Sequence, residues 1–317
     1  MTKEKLKIGI LDFTGLYRKE PPPEPDEQHY LKESILALGH EPISYPVEKC
    51  QLFFHGKKYE VLHENEDLEL CDVLIPRVSI ASGLELGASI LKQFQFMKVP
   101  VVNKYLPTLN AKNKLRTLQI LGQKEIPVPK TVVVRKFEYL DDAIKTVGGY
   151  PVVLKSAYGS YGCGVVIVES RRSLYSALDL IMDGMRTNIL LIQEYIAEAG
   201  GSDYRAFVVD GKVIACMKRQ AQTGEFRSNL HLGGEAANVK LTKQEKALAV
   251  RATKALKLQV AGVDILRSKN GPIVMEVNAN PGFTGLMEIT GIDVSKALVE
   301  YAIDFARRKK AKVKKTT

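Results

Sequence analysis

The chain has 317 residues, of which 45% are hydrophobic, so it can bury a sizeable core in roughly two or three structural units. No apolar run could cross a bilayer, and the 4 cysteines and 5 histidines lack disulfide or zinc spacing, so we expect a cytoplasmic protein without a membrane partner. Much of the formal charge of +10 lies at 307–315, which predicts a disordered basic tail over 307–317. The alternative is a docking arm for RNA, the ribosome or an acidic peptide, and we expect nucleic-acid binding nowhere else.

The N-terminal part, residues 1–107, alternates short apolar strands with helical patterns. This alternation predicts an α/β unit with a parallel sheet. A proline-rich segment at 18–25 is expected to be a surface loop without chemistry. The predicted strands are 6–11, 71–76 and 99–103, and the predicted helices are 26–38 and 84–98.

The remainder of the chain has an α+β pattern, which we divide into a lobe at 108–187 and a lobe at 188–306. The first lobe is predicted to contain helices 108–121 and 173–185 and strands 131–134, 151–155 and 165–169. In the second lobe we predict strands 188–196, 259–266 and 272–278, a helix over 243–256 and a last amphipathic helix that ends near Phe305.

A glycine-rich loop joins two strands between residues 151 and 168. Because Gly159, Gly162 and Gly164 do not open a helix, and no Gly-Lys-Ser or Gly-Lys-Thr follows, the loop is neither a dinucleotide fingerprint nor a P-loop. A hairpin flap of this kind can bring backbone amides close to phosphate oxygens, and Lys155 adds a point charge. An ordinary glycine-rich turn beside a surface lysine is the alternative.

Polar side chains interrupt two apolar strands near the end of the chain. The period of two predicts that Glu276 and Asn278 share one face of their strand and that Met275 faces the core. Asp264 lies in the neighbouring strand, where a carboxylate needs a partner or a cation. Two carboxylates and an amide oxygen suit magnesium. A buried ion pair with Arg267 or a lysine is the alternative.

A hairpin is predicted around Asp210-Gly211, a favoured two-residue turn. A simple register would place Asp203, Arg205 and Lys218 on one face. This cluster is either a cross-strand salt-bridge ladder or a group that lies over the triphosphate and ribose of a nucleotide.

The predicted strand 188–196 contains Gln193, Glu194 and Tyr195. Such a strand can link two lobes and present backbone groups to the edge of an adenine ring. A plain strand end is the alternative.

Together these motifs resemble the ATP-grasp superfamily. The loop at 218–234, which contains FRSNLHLGG, and the segment Leu74-Ile75-Pro76-Arg77 resemble the RimK-type α-L-glutamate ligases. The resemblance covers nearly the whole chain, apart from the proline-rich loop and the basic tail. It implies an ATP-grasp fold, α/β and α+β in class, with an N-terminal Rossmann-like pre-ATP-grasp domain, and it implies a homo-oligomer.

The resemblance also implies roles for individual residues. Lys155 and Arg219 would be catalytic, with Arg219 on phosphate or an acyl phosphate, and the simple register leaves room for only one of Lys218 and Arg219 to face ATP. Magnesium or manganese, two ions, would be bound by Asp264, Glu276 and Asn278. The amino acid and acceptor would be bound by Arg77, Arg227 and Asn229. ATP would be bound by Lys114, Lys155, Gly159, Gly162, Gly164, Gln193, Glu194, Tyr195, Asp203, Arg205, Lys218 and Arg219.

The activity that this resemblance implies is ATP-dependent addition of L-glutamate, through an acyl phosphate, to a carboxylate. The acceptor would be the C-terminus of a ribosomal small-subunit protein or a poly-α-glutamate chain. An amino-group carrier protein and a small coenzyme precursor are alternative acceptors. A non-catalytic nucleotide- or RNA-binding protein is the alternative from another class.

Overall fold

The computed structural model of the chain describes residues 4–12, 25–77, 84–157, 165–184, 189–222 and 234–313. Across these ranges, no helix combines the length and the apolar character that a membrane crossing requires.

The N-terminal unit is built on a parallel sheet, as predicted, in which β2, a strand that was not predicted, takes the third place in the order β2-β1-β6. The small antiparallel sheet β3-β4-β5 was not predicted from the sequence. Asp26 begins the first helix by accepting hydrogen bonds from the Gln28 and His29 N–H groups, which is why the helix starts there. The elements are β1 (Lys7–Asp12), α1 (Glu27–Ala37), β2 (Glu41–Pro46), β3 (Cys50–His55), β4 (Lys58–His63), β5 (Glu66–Asp67), β6 (Val73–Arg77) and α2 (Leu84–Phe96).

The predicted strand 99–103 is reduced to one parallel bridge, from Val101 to Leu74. The segment leaves the sheet because Asn103 is bonded elsewhere. Its buried amide donates to the carbonyls of Val260 and Ala279, at 2.7 and 2.8 Å. These bonds tie the N-terminal unit to the C-terminal sheet.

The central lobe contains an antiparallel sheet in the order β7-β10-β8-β9. Because β10 pairs with both β7 and β8, residues 190–194 belong to this lobe, whereas we had placed the boundary before residue 188. The predicted helix 108–121 is two helices, since Asn113 caps the second by accepting from the Arg116 N–H at 3.0 Å. The elements are α3 (Tyr105–Ala111), α4 (Lys114–Gln123), β7 (Thr131–Val134), α5 (Leu140–Val147), β8 (Val152–Ser156), β9 (Val165–Val168), α6 (Arg171–Gly184) and β10 (Leu190–Glu194).

The C-terminal lobe is a five-stranded antiparallel sheet in the order β13-β12-β11-β14-β15. Helix α7 packs on one face, and α8 and α9 pack on the other. Phe207 and Phe283 meet edge to face in a core that also contains Ile8 and Leu31, so the sheet shares its core with the N-terminal unit. The elements are β11 (Ser202–Val209), β12 (Lys212–Gln220), β13 (Glu235–Asn238), α7 (Lys243–Ala255), β14 (Val260–Ser268), β15 (Gly271–Asn278), α8 (Thr284–Thr290) and α9 (Val294–Val313).

The basic run does not begin a disordered tail at residue 307, because α9 continues to Val313. Lys310 Nζ lies 2.8 Å from carboxylate oxygens of Glu4 and Asp72. Arg308 lies over the ring of Tyr301 at 5.5 Å. The contacts of Lys310 are with parts of the chain distant in sequence and hold the last turns of α9 in place. Residues 314–317 lie outside the described part.

Candidate active site

The β11–β12 hairpin turns at Asp210-Gly211 as predicted, but its register differs. A bulge between Phe207 and Val208 shifts the pairing by one residue, so Asp203 faces Arg219. Lys218 pairs with Tyr204 and lies on the opposite face of the sheet. The prediction that Lys218 joins Asp203 and Arg205 is therefore wrong, and Arg219 takes that place.

Two arginines and two aspartates form a buried network on this face. Arg219 donates to both oxygens of Asp203 at 2.8 Å, and its Nη2 lies 3.0 Å from Asp264 Oδ2. Arg205 donates to the two oxygens of Asp264 at 2.8 and 2.7 Å. Burial disfavours the ionised form of Asp264, but the two arginines outweigh it and lower the pKa of that carboxyl to about 2. Asp264 therefore lies in a buried ion pair, but its partners are Arg205 and Arg219 and not Arg267, which pairs with Glu245.

A second bulge lies between β14 and β15. Ile265 pairs with Val274 and Asp264 with Glu276, so Met275 is the additional residue. Met275 lines a cavity beside Glu276, whereas the period of two had predicted that it faces the core. The bulge makes Asp264 and Glu276 direct cross-strand neighbours.

Asn278 lies opposite Gly262, where an added Cβ would come within 2.7 Å of the Pro281 ring. Glycine at position 262 thus lets the chain after β15 pass close over β14.

The donor set formed by Asp264, Glu276 and Asn278 fits a magnesium-type ion, because it supplies carboxylate and amide oxygens alone. Both oxygens of Asp264 are bonded to arginines, whereas the carboxylate of Glu276 is 32% exposed and lies 3.8 Å from Lys114 Nζ. No group of three or more His, Cys, Asp or Glu side chains in the described ranges is placed to hold a metal. The amide of Asn278 would therefore have to complete such a site.

Two lysines, Lys114 and Lys155, lie near the carboxylate of Glu276. The Lys114 N–H donates to the carbonyl of Ala157 at 3.0 Å, which fixes the start of α4 against the end of β8 and brings Lys114 to the cavity that Lys155 also lines. Lys155 Nζ donates to Gln193 Oε1 at 2.7 Å. Burial lowers the pKa of Lys155 to about 8, although the nearby charge of Glu276 opposes that shift.

The predicted adenine-binding residues lie at the end of β10. Gln193 is buried and donates to Thr131 Oγ1 at 2.9 Å, so it links Lys155 to β7. Glu194 Oε1 accepts from the Lys130 N–H at 2.9 Å. The structure places Tyr195 just beyond β10 and gives it no contact with the cavity.

Arg77 ends β6 and is only 8% exposed. Its Nη2 donates to a carboxylate oxygen of Glu27 and to the carbonyl of Pro281, and its guanidinium lies over the ring of Phe283. Arg77 thereby joins the N-terminal unit to the loop that follows Asn278.

Lys112 is a residue near the site that was not singled out from the sequence. It lies between α3 and α4, and its pKa is lowered to about 8 by burial, with Glu276, Arg77 and Lys114 close enough to influence it. Its place in the predicted helix 108–121 gave no signal that distinguishes it from a solvent-exposed lysine. Five predicted site residues, Gly159, Gly162, Gly164, Arg227 and Asn229, lie outside the described residues.

Comparison with family models matches residues 111–302 to the RimK-like ATP-grasp domain and residues 23–105 to the RimK PreATP-grasp domain. The chain belongs to the RimK-type ATP-grasp family. Two similar proteins are each named probable alpha-L-glutamate ligase. The protein of Pseudoalteromonas translucida is 44% identical over 297 residues, which are 93% of this chain and 95% of that protein. The protein of Maridesulfovibrio salexigens is 41% identical over 309 residues, which are 98% and 99% of the two chains.

Among solved structures, the ATP-grasp ligase PsnB in complex with its minimal precursor, Mg and ADP has a TM-score of 0.70. It is 17% identical, and the match covers 95% of this chain and 98% of PsnB, so the two share the fold. This RimK-type chain is an ATP-grasp ligase that forms carbon–nitrogen bonds.

Proposed function

We propose that the chain joins L-glutamate to the C-terminal carboxylate of a protein or peptide through an acyl phosphate. The observation that carries this proposal is the group of described lysines near one carboxylate of the cavity. Lys112, Lys114 and Lys155 all lie near the carboxylate of Glu276. Such a site favours an anion with several charges, as a nucleoside triphosphate has. The names of the similar proteins support glutamate as the amino acid.

The proposed reaction has two steps. A carboxylate oxygen of the acceptor attacks the γ-phosphorus of ATP, which forms an acyl phosphate and breaks the bond to ADP. The deprotonated amino group of glutamate then attacks the acyl carbon, and phosphate leaves as the amide forms. No side chain needs to act as a nucleophile, so the protein contributes position and charge.

Several site residues have a proposed task in this scheme. Lys114 and Lys155 would hold the phosphates of ATP, and Glu194 and Tyr195 would hold the adenine. Arg219 would stabilise the transferred phosphoryl group, from a position that Asp203 fixes by two hydrogen bonds. Magnesium or manganese, as two ions, would be held by Asp264, Glu276 and Asn278 and would supply charge neutralisation to the phosphates.

Choice of glutamate is the proposed task of Arg227 and Asn229. A guanidinium can form two parallel hydrogen bonds with the side-chain carboxylate of glutamate, which neutral amino acids lack. We expect Arg227→Ala to raise the KM for glutamate strongly and to change the affinity for ATP little. Arg227→Lys should recover part of the loss, because it restores the charge without the fork. An alanine variant that uses glutamate as well as the parent does would exclude this role.

The acceptor can be determined by product analysis. The parent enzyme would be incubated with ATP, magnesium and each amino acid, together with a ribosomal small-subunit protein, a short α-glutamyl peptide, an amino-group carrier protein or a carboxylate-bearing coenzyme precursor. We expect mass spectrometry to show ATP-dependent growth of a peptide or protein C-terminus by glutamyl residues. Nucleotide binding without any ligated product across the whole panel would instead support a non-catalytic nucleotide-binding protein.

A further inference from the structure

A chain of hydrogen bonds runs from Lys155 at the cavity to the backbone at the start of β7. Lys155 Nζ donates to Gln193 Oε1 at 2.7 Å, and Gln193 Nε2 donates to Thr131 Oγ1 at 2.9 Å. The hydroxyl of Thr131 donates in turn to the carbonyl of Pro129 at 2.9 Å. Of these three side chains, Lys155 alone has a task in the proposed reaction.

The pleat of the central sheet brings these side chains to one face. Gln193 of β10 pairs with Thr131 of β7, and Lys155 of β8 pairs with Leu191, two residues before Gln193. Residues two apart share a face of a strand, and a long side chain reaches its diagonal neighbour on the next strand. Lys155, Leu191 and Gln193 accordingly line the cavity, whereas the intervening Ile192 packs in the core on the other face.

The hydroxyl of Thr131 fixes which end of the Gln193 amide faces the lysine. Because a carbonyl can only accept, the hydroxyl proton is used on Pro129, and the hydroxyl oxygen is left to accept from the amide nitrogen of Gln193. The amide oxygen then faces Lys155, whereas a reversed amide would set its own donors against those of the ammonium. Thr131 therefore acts on Lys155 through the orientation of one amide.

Backbone contacts hold the two ends of this chain together. The Glu194 N–H donates to the carbonyl of Lys130, and the Lys130 N–H donates to Glu194 Oε1, both at 2.9 Å. Gln193 lies beside this pair and is only 4% exposed. A buried amide that is bonded at both ends, on a strand fixed to its neighbour, has one orientation and limited freedom to move.

The partner that Gln193 offers to Lys155 is neutral. A carboxylate in the same place would form an ion pair with the ammonium and compete with a phosphate for it. An amide oxygen holds the ammonium without cancelling its charge. The chain thus limits the movement of a cation and leaves that cation able to attract an anion.

We propose that Thr131 and Gln193 are positioning residues, which hold the ammonium of Lys155 in place for phosphoryl transfer and leave its positive charge intact. Transfer requires the cation at one place relative to the moving phosphoryl group, whereas binding of ATP in the ground state tolerates a more mobile cation. This assignment rests on the proposed function, in which Lys155 contacts the phosphates of ATP.

The first test removes the hydroxyl. Thr131→Val keeps the shape of the side chain, and Thr131→Ser keeps the hydroxyl. Thr146→Val is the matched control, because the exposed hydroxyl of Thr146 also donates to a backbone carbonyl, that of Asp142. We expect Thr131→Val to lower kcat about tenfold, which corresponds to the loss of one hydrogen bond, while the Kd for ATP stays within about threefold. Thr131→Ser should recover most of the kcat, and Thr146→Val should match the parent.

The second test adds a charge to the partner of the lysine. Gln193→Glu replaces the amide by a carboxylate of nearly the same shape. We expect the Kd for ATP to rise about tenfold or more, because the new carboxylate competes with the phosphates for Lys155. The inhibition constant of adenosine should stay within about twofold, since adenosine carries no phosphate. Calorimetric titration and inhibition kinetics measure the two values, and the melting temperature shows whether the variant is folded.

A Thr131→Val variant with the kcat of the parent would overturn the assignment, as would a Thr131→Ser variant that is equally impaired. Equal losses of affinity for ATP and adenosine in Gln193→Glu would overturn it as well and make Gln193 an adenine contact. If Thr131→Val does not fold, Thr131→Ala removes the same hydroxyl. Unchanged ATP affinity in Lys155→Ala refutes the phosphate task in the proposed function, and the positioning with it. A weakened Lys155→Ala beside unaffected Thr131 and Gln193 variants refutes the positioning alone.

Discussion

Two groups of charges meet at the candidate site, and they differ in the ratio of cationic side chains to carboxylates among the described residues. On the five-stranded sheet, Asp203 and Asp264 are matched by Arg205 and Arg219, with short hydrogen bonds and little exposure. On the opposite side, three lysines lie near one carboxylate, that of Glu276. The arginine side is paired within the protein, whereas the lysine side brings several cations to one carboxylate.

This difference predicts that substitutions in the two groups affect stability to different extents. Removal of one member of a buried ion pair leaves its partner uncompensated and costs stability. Removal of a lysine that repels its neighbours costs little stability but weakens the binding of an anion. Stability and affinity should therefore respond to mutation on different sides of the cavity.

The largest effect is expected on the arginine side. Arg219→Met should lower the free energy of unfolding by about 3–5 kcal/mol, because Asp203 and Asp264 lose a buried partner. The neighbouring substitution Lys218→Met is the matched control and should change it by less than about 1 kcal/mol, because Lys218 lies on the other face. Chemical denaturation measures both. Equal losses would mean that the network adds no stability and would remove the distinction between the two sides.

On the lysine side we expect a loss of binding without a comparable loss of stability. Lys155→Ala should weaken ATP binding about tenfold to a hundredfold, which is the usual cost of losing a charge-assisted contact, and should nearly abolish turnover. Its melting temperature should stay close to that of Lys145→Ala, a control at an exposed ion pair. Calorimetric titration with ATP provides the affinities. An unchanged affinity for ATP would exclude Lys155 from the phosphate site.

Between the two sides lies the pair Asp264 and Glu276. Glu276→Gln should raise the magnesium concentration for half-maximal turnover about tenfold, and excess magnesium should restore part of the activity, since one charged oxygen ligand is lost. Titration of turnover with magnesium checks this. If the magnesium concentration for half-maximal turnover is unchanged while turnover falls, then Glu276 interacts with the nearby lysines and does not bind a metal.

The smallest effect concerns the end of α9. Lys310→Ala should lower the free energy of unfolding by no more than about 1 kcal/mol, because its contacts with Glu4 and Asp72 are partly exposed. Deletion of residues 307–317 removes the Arg308 contacts as well and should lower the melting temperature measurably. A deletion variant with the melting temperature of the parent would mean that these contacts contribute no stability in solution.

Local patterns predicted much of the architecture. The parallel strands β1 and β6, the capped helix α1 and the turn at Asp210-Gly211 were all predicted, because apolar period, capping residues and turn residues act over a few neighbours. The sheet β3-β4-β5 was missed. Its strands are short, and no turn signal between them was identified.

Contacts between residues distant in sequence determined those features of the site that local sequence patterns could not predict. Each bulge adds one residue, and the choice of position depends on packing on both faces of the sheet. The bulge between β11 and β12 places Arg219 instead of Lys218 opposite Asp203. The bulge between β14 and β15 places Met275 at the cavity. Helix α9 continues past residue 307, where distant carboxylates contact its lysine and arginine side chains.

The most direct test of the proposed chemistry follows oxygen from the acceptor. A peptide acceptor labelled with oxygen-18 in its terminal carboxylate would be incubated with the enzyme, ATP, magnesium and glutamate, and the released phosphate would be analysed by mass spectrometry. Attack of the carboxylate on the γ-phosphorus predicts one labelled oxygen in each released phosphate, with ADP and glutamylated peptide formed in equal amounts. Unlabelled phosphate, or release of AMP and pyrophosphate in place of ADP, would contradict an acyl phosphate.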